Sequence, residues 1–254
     1  MRILLVCTAL FVLQGAALGQ GAVIEKLADV QGDSLPPDFR GTLPTHVDLS
    51  AKLPAPRSQG STRTCTSWSV VYAASSLALR TRGFGSTLTL SPSFAYNQVS
   101  RDQWCRAGTK ISSMLNLVRD VGALPIDEFV FDGAWCGRLP TSAEAERAKE
   151  FRIKGWSAFD ATGLEKVKEQ LARGVPVIFA MPMTSKMKAL HGDAVLEDDD
   201  LPGQGHTLIV IGYEDAKKAF LIQNSWGQSW AAKGYGWFGY DFWKRNASTG
   251  FVIE

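Results

Sequence analysis

Apolar residues recur at helical spacing in the first half of the chain. Within residues 65–83 they stand three or four positions apart, at Trp68, Val71, Ala74 and Ala78. This spacing puts them on one helix face, and Gly83 supplies a C-terminal stop. Four more helices are predicted, over residues 91–100, 110–122, 141–151 and 163–174. Ser91 and Pro92 suit the cap and first turn of the earliest of these four.

The pattern changes in the second half, where short runs are β-branched, aromatic and interrupted by glycine. Strands are predicted over residues 175–183, 206–214, 219–227 and 234–242. Residues 20–58 hold five prolines and little amphipathic signal, which favours extended backbone. Helices followed by strands predict an α+β protein with two segregated lobes.

The N-terminus predicts export. Residues 1–19 combine an arginine, an apolar run over residues 3–13, and the small residues Ala17 and Gly19. This is the organisation of a signal peptide cleaved after Gly19, and it predicts a secreted or periplasmic protein. A buried N-terminal helix is the alternative, but the segment lacks the polar face that such a helix normally has. No later segment has the length and apolarity of a membrane span.

Composition and charge exclude several partners. The chain has 254 residues, 45% of them hydrophobic, which is enough for a full core. Its 27 lysines and arginines nearly balance 25 acidic residues. A net charge of +2 gives no field for steering nucleic acid or coating an anionic membrane, so neither is an expected partner.

The cysteines separate into a bridge and a free thiol. Cys7 leaves with the signal peptide, and Cys65, Cys105 and Cys136 remain. Cys105 and Cys136 lie in similar polar, glycine-bearing stretches that suit a disulfide closing a loop. Cys65 is then unpaired, which in an exported protein favours a functional role.

Cys65 lies in the first turn of a predicted helix, where the backbone dipole favours thiolate over thiol. A thiolate nucleophile needs a base and a group that orients the base. His46 and His191 lie in stretches typical of solvated surface, whereas His206 opens a predicted strand.

The strand of His206 and the following strand form a predicted hairpin about Asp215. A turn centred there puts His206 opposite Asn224. His206 is then the candidate base, and the amide of Asn224 can fix the tautomer of the imidazole. Gln59 precedes Cys65 by six residues, where its amide can donate to an oxyanion beside the cysteine N–H. Together these residues describe an acyl-transfer site.

Three motifs carry a resemblance to the papain-like cysteine peptidases: "SQGSTRTCTSWS", "GQGHTLIVIGYED" and "IQNSWGQSWAAKGYGWFGYDF". The resemblance extends from residue 43 to the C-terminus and includes the specific pair "NSWG" and "GYG". It implies that Cys65 is the nucleophile, His206 the acid and base, Asn224 the orienting residue and Gln59 the oxyanion donor. It also implies that Trp226 shields the Asn–His hydrogen bond from water.

The resemblance implies the rest of the molecule as well. A helical lobe carries Cys65, a β-barrel-like lobe carries His206, and residues 43–254 form the peptidase domain. Peptide or protein substrates and protein inhibitors are the implied partners, with no metal or organic cofactor. The implied substrate-binding residues are Arg63, Gly108, Ala180, Gly205 and Thr207.

Several positions depart from the family pattern. Arg63 replaces a glycine, Thr66 replaces a tryptophan, and Thr62 replaces a disulfide cysteine. Residues 20–42 are too short for the family's helical propeptide. Our hypothesis is that this N-terminal arm crosses the cleft, and that its removal or displacement controls access.

The sequence leaves two alternative functions open. One is a catalytically silent papain-fold binding protein, favoured by Arg63 and by the unusual arm. The other is a papain-fold amidase or acyltransferase, which keeps the acyl-enzyme chemistry but uses other substrates.

Overall fold

A computed structural model of the chain describes residues 21–198, 200 and 202–254. The predicted signal peptide, residues 1–19, lies outside the described residues. None of the helices in these ranges combines the length and apolarity needed to span a bilayer.

The helix predicted over residues 65–83 is confirmed. It begins as α1 (Cys65–Ser67), widens to a π-helix (Trp68–Ser75) and returns to α-helix as α2 (Ser76–Thr81). The π-helical centre was not predicted. The chain leaves the helix at Gly83, whose φ of 93° is one that glycine adopts without strain.

The other predicted helices also form, as α3 (Pro92–Ser100), α4 (Ile111–Asp120), α5 (Ser142–Ala148) and α6 (Leu164–Ala172). The Ser91 hydroxyl accepts from the Phe94 N–H and caps α3. Thr141 and Glu144 form a reciprocal capping box at α5. Short 3₁₀ helices lie at Leu27–Asp29, Ser50–Lys52 and Lys149–Phe151.

Two helices were not predicted, α7 (Ser185–Lys188) and α8 (Tyr240–Asn246). The strand prediction over residues 234–242 is therefore wrong for its last three residues. The aromatic residues suggested a strand there, but Phe242 and Trp243 are the buried residues of a helix. Trp243 Nε1 donates to the Ala161 carbonyl at 2.7 Å, which fixes α8 against the sheet lobe.

The described strands form one sheet in the order β2-β8-β3-β5-β6-β7-β4, with β1 paired to β5. Their bounds are β1 (His46–Asp48), β2 (Trp156–Asp160), β3 (Val177–Pro182), β4 (Val195–Leu196), β5 (Gly205–Glu214), β6 (Ala219–Gln223), β7 (Tyr235–Gly239) and β8 (Thr249–Ile253). All pairs are antiparallel except β4 with β7. The two-lobed α+β prediction is confirmed, whereas β1, β2, β4 and β8 were not predicted.

The register predicted for the β5–β6 hairpin is wrong. Glu214 pairs with Ala219 and Ile209 with Gln223, so the turn centre lies beyond Asp215. A bulge between Val210 and Gly212 shifts the register again. The ladder ends at Gln223, and Asn224 reaches His206 from just outside it.

The lobes meet where α1 packs against β5. The Thr66 and Thr207 hydroxyls are 2.9 Å apart, and the Ser69 hydroxyl donates to the Thr207 carbonyl at 3.2 Å. These polar contacts join the start of the helix to the start of the strand. They hold the residue after the predicted nucleophile beside the residue after the predicted base.

The N-terminal arm follows the sheet lobe for most of its described length. The Asp33 N–H donates to the Trp156 carbonyl at 2.8 Å, and Arg173 donates to the Pro37 carbonyl. Lys166 pairs with Asp38 at the surface. The arm is therefore anchored on the sheet lobe before it joins β1.

The predicted disulfide between Cys105 and Cys136 is present, and Cys65 is the free cysteine among the described residues. Both bridged cysteines are buried against Tyr96. The bridge joins residues 31 positions apart and therefore restricts the unfolded chain.

We expect Cys105→Ser to lower the free energy of unfolding by roughly 3.5 kcal/mol, because a loop of about 30 residues is no longer closed in the unfolded state. Urea unfolding without reductant measures this change. The Cys105→Ser/Cys136→Ser double variant should match either single variant. A single variant as stable as the unsubstituted chain would show that the bridge contributes nothing.

Candidate active site

Cys65 is the first residue of α1 and is completely buried. Burial raises the pKa of its thiol. Hydrogen bonds from the N–H groups of Thr207 and Gly21, and from the Thr207 and Thr66 hydroxyls, act in the opposite direction. The helix start was predicted to favour the thiolate, but here the cost of burying a charge is larger. The thiol is neutral in this arrangement.

His206 is also completely buried, near the start of β5. Its Nε2 atom is 2.8 Å from Asn224 Oδ1. The Ser225 N–H donates to the same oxygen at 2.7 Å, which identifies it as the carbonyl oxygen of the amide. That oxygen only accepts, so Nε2 carries the proton and Nδ1 is the unprotonated nitrogen.

Burial lowers the pKa of His206 to about 4, against a smaller opposing effect of the Asn224 hydrogen bond. The imidazole is therefore neutral at pH 7. Its Nδ1 atom is buried and has no hydrogen-bond partner among the described residues. Cys65 contacts the neighbouring Thr207, and no described hydrogen bond joins the thiol to the ring.

Two indoles pack beside the imidazole. Trp226 stacks on His206 with ring centroids 4.6 Å apart and an interplanar angle of 26°. Trp230 meets Trp226 edge-on at 5.7 Å and donates to the Met187 carbonyl at 2.9 Å. Trp230 is buried in the core. Trp226 adds an apolar cover to the His206 ring.

Gln59 is buried and connected to the other lobe through Ser225. The Ser225 hydroxyl donates to Gln59 Oε1 at 2.6 Å, and the Gln59 N–H donates to the Ser225 carbonyl at 2.8 Å. Gln59 Nε2 donates to the Thr62 carbonyl at 2.7 Å, which leaves its second hydrogen available. Ser225 was not among the predicted site residues, although its place beside Asn224 in "NSWG" was a usable signal.

The loop before Cys65 is held by hydroxyls rather than by a disulfide. The Thr62 hydroxyl donates to the Gln59 carbonyl at 2.6 Å and lies 2.7 Å from the Thr64 hydroxyl. The exposed Arg63 is held by its backbone, since its N–H donates to the Cys105 carbonyl at 2.8 Å. Hydrogen bonds of the Thr62 hydroxyl thus hold this loop, at the position where the family pattern has a disulfide cysteine.

The start of the described arm lies across this site. The Gly21 and Ala22 N–H groups both donate to the Gly205 carbonyl, at 3.1 and 3.0 Å. On the helical lobe, the Thr109 N–H donates to the Gly21 carbonyl at 2.8 Å, and the Val23 N–H donates to the Thr109 carbonyl at 3.0 Å. Backbone of the arm therefore binds both lobes beside Cys65.

Small residues make room for this segment. A Cβ on Gly21 would lie 2.3 Å from the Arg63 carbonyl oxygen. A Cβ on Gly108 would lie 2.8 Å from the Gly21 oxygen, and one on Gly205 would lie 2.4 Å from the Ala22 oxygen. Two of the predicted substrate-binding residues, Gly108 and Gly205, thus contact the arm.

Of the other residues considered in the sequence, Ala180 lies near this site and the two remaining histidines lie away from it. Ala180 is buried and pairs with Thr207 across β3 and β5. His46 and His191 are exposed and lie elsewhere, as the sequence indicated. In the acidic run 196–203, Asp198 pairs with Lys186. Among the described residues, no group of histidine, cysteine and acidic side chains is positioned to hold a metal ion.

Known proteins are similar to this chain in sequence and in fold. Mouse cathepsin K is 23% identical over 205 residues, covering 78% of this chain and 60% of its own length. The chain thus spans about 60% of that curated relative. The structure of xylellain, a cysteine protease from Xylella fastidiosa, matches with a TM-score of 0.81 at 22% identity, over 96% of this chain and 98% of that one.

A cysteine protease from Carica candamarcensis, solved in complex with E-64, matches with a TM-score of 0.63 at 20% identity, over 83% of this chain and 98% of that one. At such identities these structures show the fold alone. The family model described as "Papain family cysteine protease" matches residues 43–246. The chain therefore belongs to the papain family of cysteine proteases.

Proposed function

We propose that this protein hydrolyses peptide bonds through a Cys65 thiolate and an acyl-enzyme intermediate. The observation that carries the proposal is the buried hydrogen bond between His206 Nε2 and Asn224 Oδ1. It leaves Nδ1 as the unprotonated nitrogen, and Nδ1 has no other partner among the described residues. A base in this state can accept the thiol proton from Cys65.

The reaction follows from these positions. Nδ1 of His206 takes the thiol proton, and the thiolate attacks the peptide carbonyl. The Cys65 N–H and the second hydrogen of Gln59 Nε2 bind the developing oxyanion. The imidazolium then gives its proton to the leaving amine. Water activated by the same ring hydrolyses the acyl-enzyme, which regenerates the thiol.

We further propose that the arm keeps the enzyme inactive. With Gly21 beside Cys65, the thiol and the imidazole are both buried and neutral. Displacement of the arm admits water, which lowers the cost of holding a thiolate next to an imidazolium. The same movement opens the cleft to substrate, so one event controls both access and ionisation.

Export remains part of the proposal. The signal-like residues 1–19 and the Cys105–Cys136 disulfide both suit an oxidising compartment, secreted or periplasmic. E-64, with which the Carica candamarcensis protease was solved in complex, is a suitable probe for Cys65.

We expect an epoxide or iodoacetamide probe to label one site, Cys65, near neutral pH once the arm is displaced. His206→Ala removes the base and should slow labelling at least about 100-fold, and Cys65→Ser should abolish hydrolysis of a peptide library. Mass spectrometry and a library digest measure the two effects. His191→Ala, at an exposed histidine, is the matched control.

Two results would count against the proposal in different ways. Labelling unaffected by His206→Ala would favour the silent binding protein. Fast labelling of Cys65 without hydrolysis of any peptide would favour the amidase or acyltransferase.

We expect Gly21→Ala to raise the labelling rate of Cys65 in the full chain about tenfold or more, because the added Cβ would lie 2.3 Å from the Arg63 oxygen. Timed labelling at fixed pH measures this. Gly41→Ala is the matched control, since its Cβ meets only the flexible Phe39 ring. Equal rates for the two variants would contradict occlusion by the arm. Active enzyme that still begins at Gln20 would show displacement without removal.

We expect the His206 ring to titrate with a midpoint of about 4 in the Cys65→Ser full chain. Released from burial by Gly21→Ala, it should titrate nearer 6.5. The closed form then binds fewer protons than the open form between these values, so acidification across this window favours arm release. NMR of ¹³C-labelled histidine, assigned with His206→Gln, measures both midpoints. A closed-form midpoint near 6.5 would contradict the burial argument.

A further inference from the structure

The N-terminus of α4 receives its cap from the arm. Its own N-cap residue, Lys110, makes no side-chain capping hydrogen bond. Instead, the Ser112 N–H donates to Glu25 Oε2 at 3.0 Å, and the Ser112 hydroxyl donates to Glu25 Oε1. Glu25 is only 9% exposed. A carboxylate from another part of the chain thus occupies a pocket at the positive end of a ten-residue helix.

The backbone of the same residue binds the other lobe. The Thr249 hydroxyl, at the start of β8, donates to the Glu25 carbonyl at 2.9 Å. Glu25 is therefore held between the helical lobe through its side chain and the sheet lobe through its main chain. Two-point binding of this kind fixes both the identity and the orientation of the residue.

This pocket is continuous with the proposed catalytic cleft. Gly21 lies against Cys65, Val23 bonds to Thr109, and Glu25 reaches Ser112. The arm thus extends from the thiol to the pocket in four residues. A peptide lying in the same cleft would pass the same donors at a similar distance from the bond being cut.

The chemistry of the pocket selects one class of side chain. Ser112 offers an N–H and a hydroxyl at a helix N-terminus, and the exposed Lys110 adds a positive charge beside them. A carboxylate satisfies all of these groups. An aliphatic side chain would leave the donors unpaired, and a basic one would be repelled.

We propose that the open cleft selects peptides with a glutamate or aspartate about four positions from the cleaved bond, with Ser112 as the specificity-determining residue and Thr249 holding the peptide main chain. The inference rests on the proposed peptidase function and extends it to a substrate class. Glu25 then occupies the place of the substrate's acidic side chain while the arm is closed. A pure capping role for Glu25 is the competing explanation, and it predicts no such preference.

The test uses the full chain and pairs of fluorogenic peptides that differ only by Glu or Gln at each position around the cut. The ratio of kcat/KM within a pair does not depend on the fraction of active enzyme. We expect a ratio of about 10 or more in favour of Glu at one position, the size of a charge-assisted hydrogen bond.

Ser112→Ala should reduce this ratio about fivefold, because one of the two donors is lost while the backbone N–H and the helix remain. Ser113→Ala is the matched control, on the next residue of α4, and should leave the ratio unchanged. A ratio near 1 at every position, or equal ratios in the two variants, would overturn the acidic subsite while leaving the peptidase function intact.

A second measurement separates the two proposals. Peptidyl epoxides carrying Glu or Gln at the preferred distance are compared by their rates of Cys65 labelling. Faster labelling by the Glu probe without hydrolysis of any peptide would support the subsite and overturn the peptidase function. Failure of both probes to label Cys65, even in Gly21→Ala, would overturn both.

Discussion

The hydrogen bond between His206 Nε2 and Asn224 Oδ1 is the interaction on which the proposed chemistry depends. It determines which ring nitrogen carries the proton and therefore which one can act as a base. The Trp226 ring stacks on the His206 ring, and Ser225, next to Asn224 in the chain, donates to Gln59 on the other side of the cleft. A hydrogen bond held in a buried setting is stronger and more directional than one exposed to water.

Burial also has a cost, since the same exclusion of water opposes the charges that catalysis needs. In the closed arrangement the pKa of Cys65 is raised and that of His206 is lowered, so neither carries charge near neutral pH. The arm is responsible for part of this burial. Its Gly21 lies beside the thiol and its Glu25 occupies the pocket at α4. In our proposals the arm controls ionisation and access together, and its acidic residue indicates the substrate class.

Long periodic segments were predictable, whereas contacts between distant segments were not. The helix from Cys65 and the strand of His206 formed where apolar spacing placed them. The hairpin register was wrong because a bulge and a displaced turn cannot be read from alternation alone. Asn224 nevertheless reaches His206, from just beyond the end of the β5–β6 ladder. The strand predicted through Phe242 became helix α8 because burial against the sheet outweighed the propensity of its aromatic residues.

The sequence by itself determined the family, the α+β class, the disulfide pair and the identity of the candidate nucleophile, base and orienting amide. The class, the disulfide pair and the three candidate residues follow from residue type, spacing and apolar period, and the family follows from the resemblance of three motifs; all of these are local properties. Only the tertiary structure decided that Gly21 lies against Cys65, that Glu25 caps α4 through Ser112, and that the thiol and imidazole are both neutral. Each of these depends on groups that are far apart in the chain and on the exclusion of water between them. No single stretch of residues encodes such a contact.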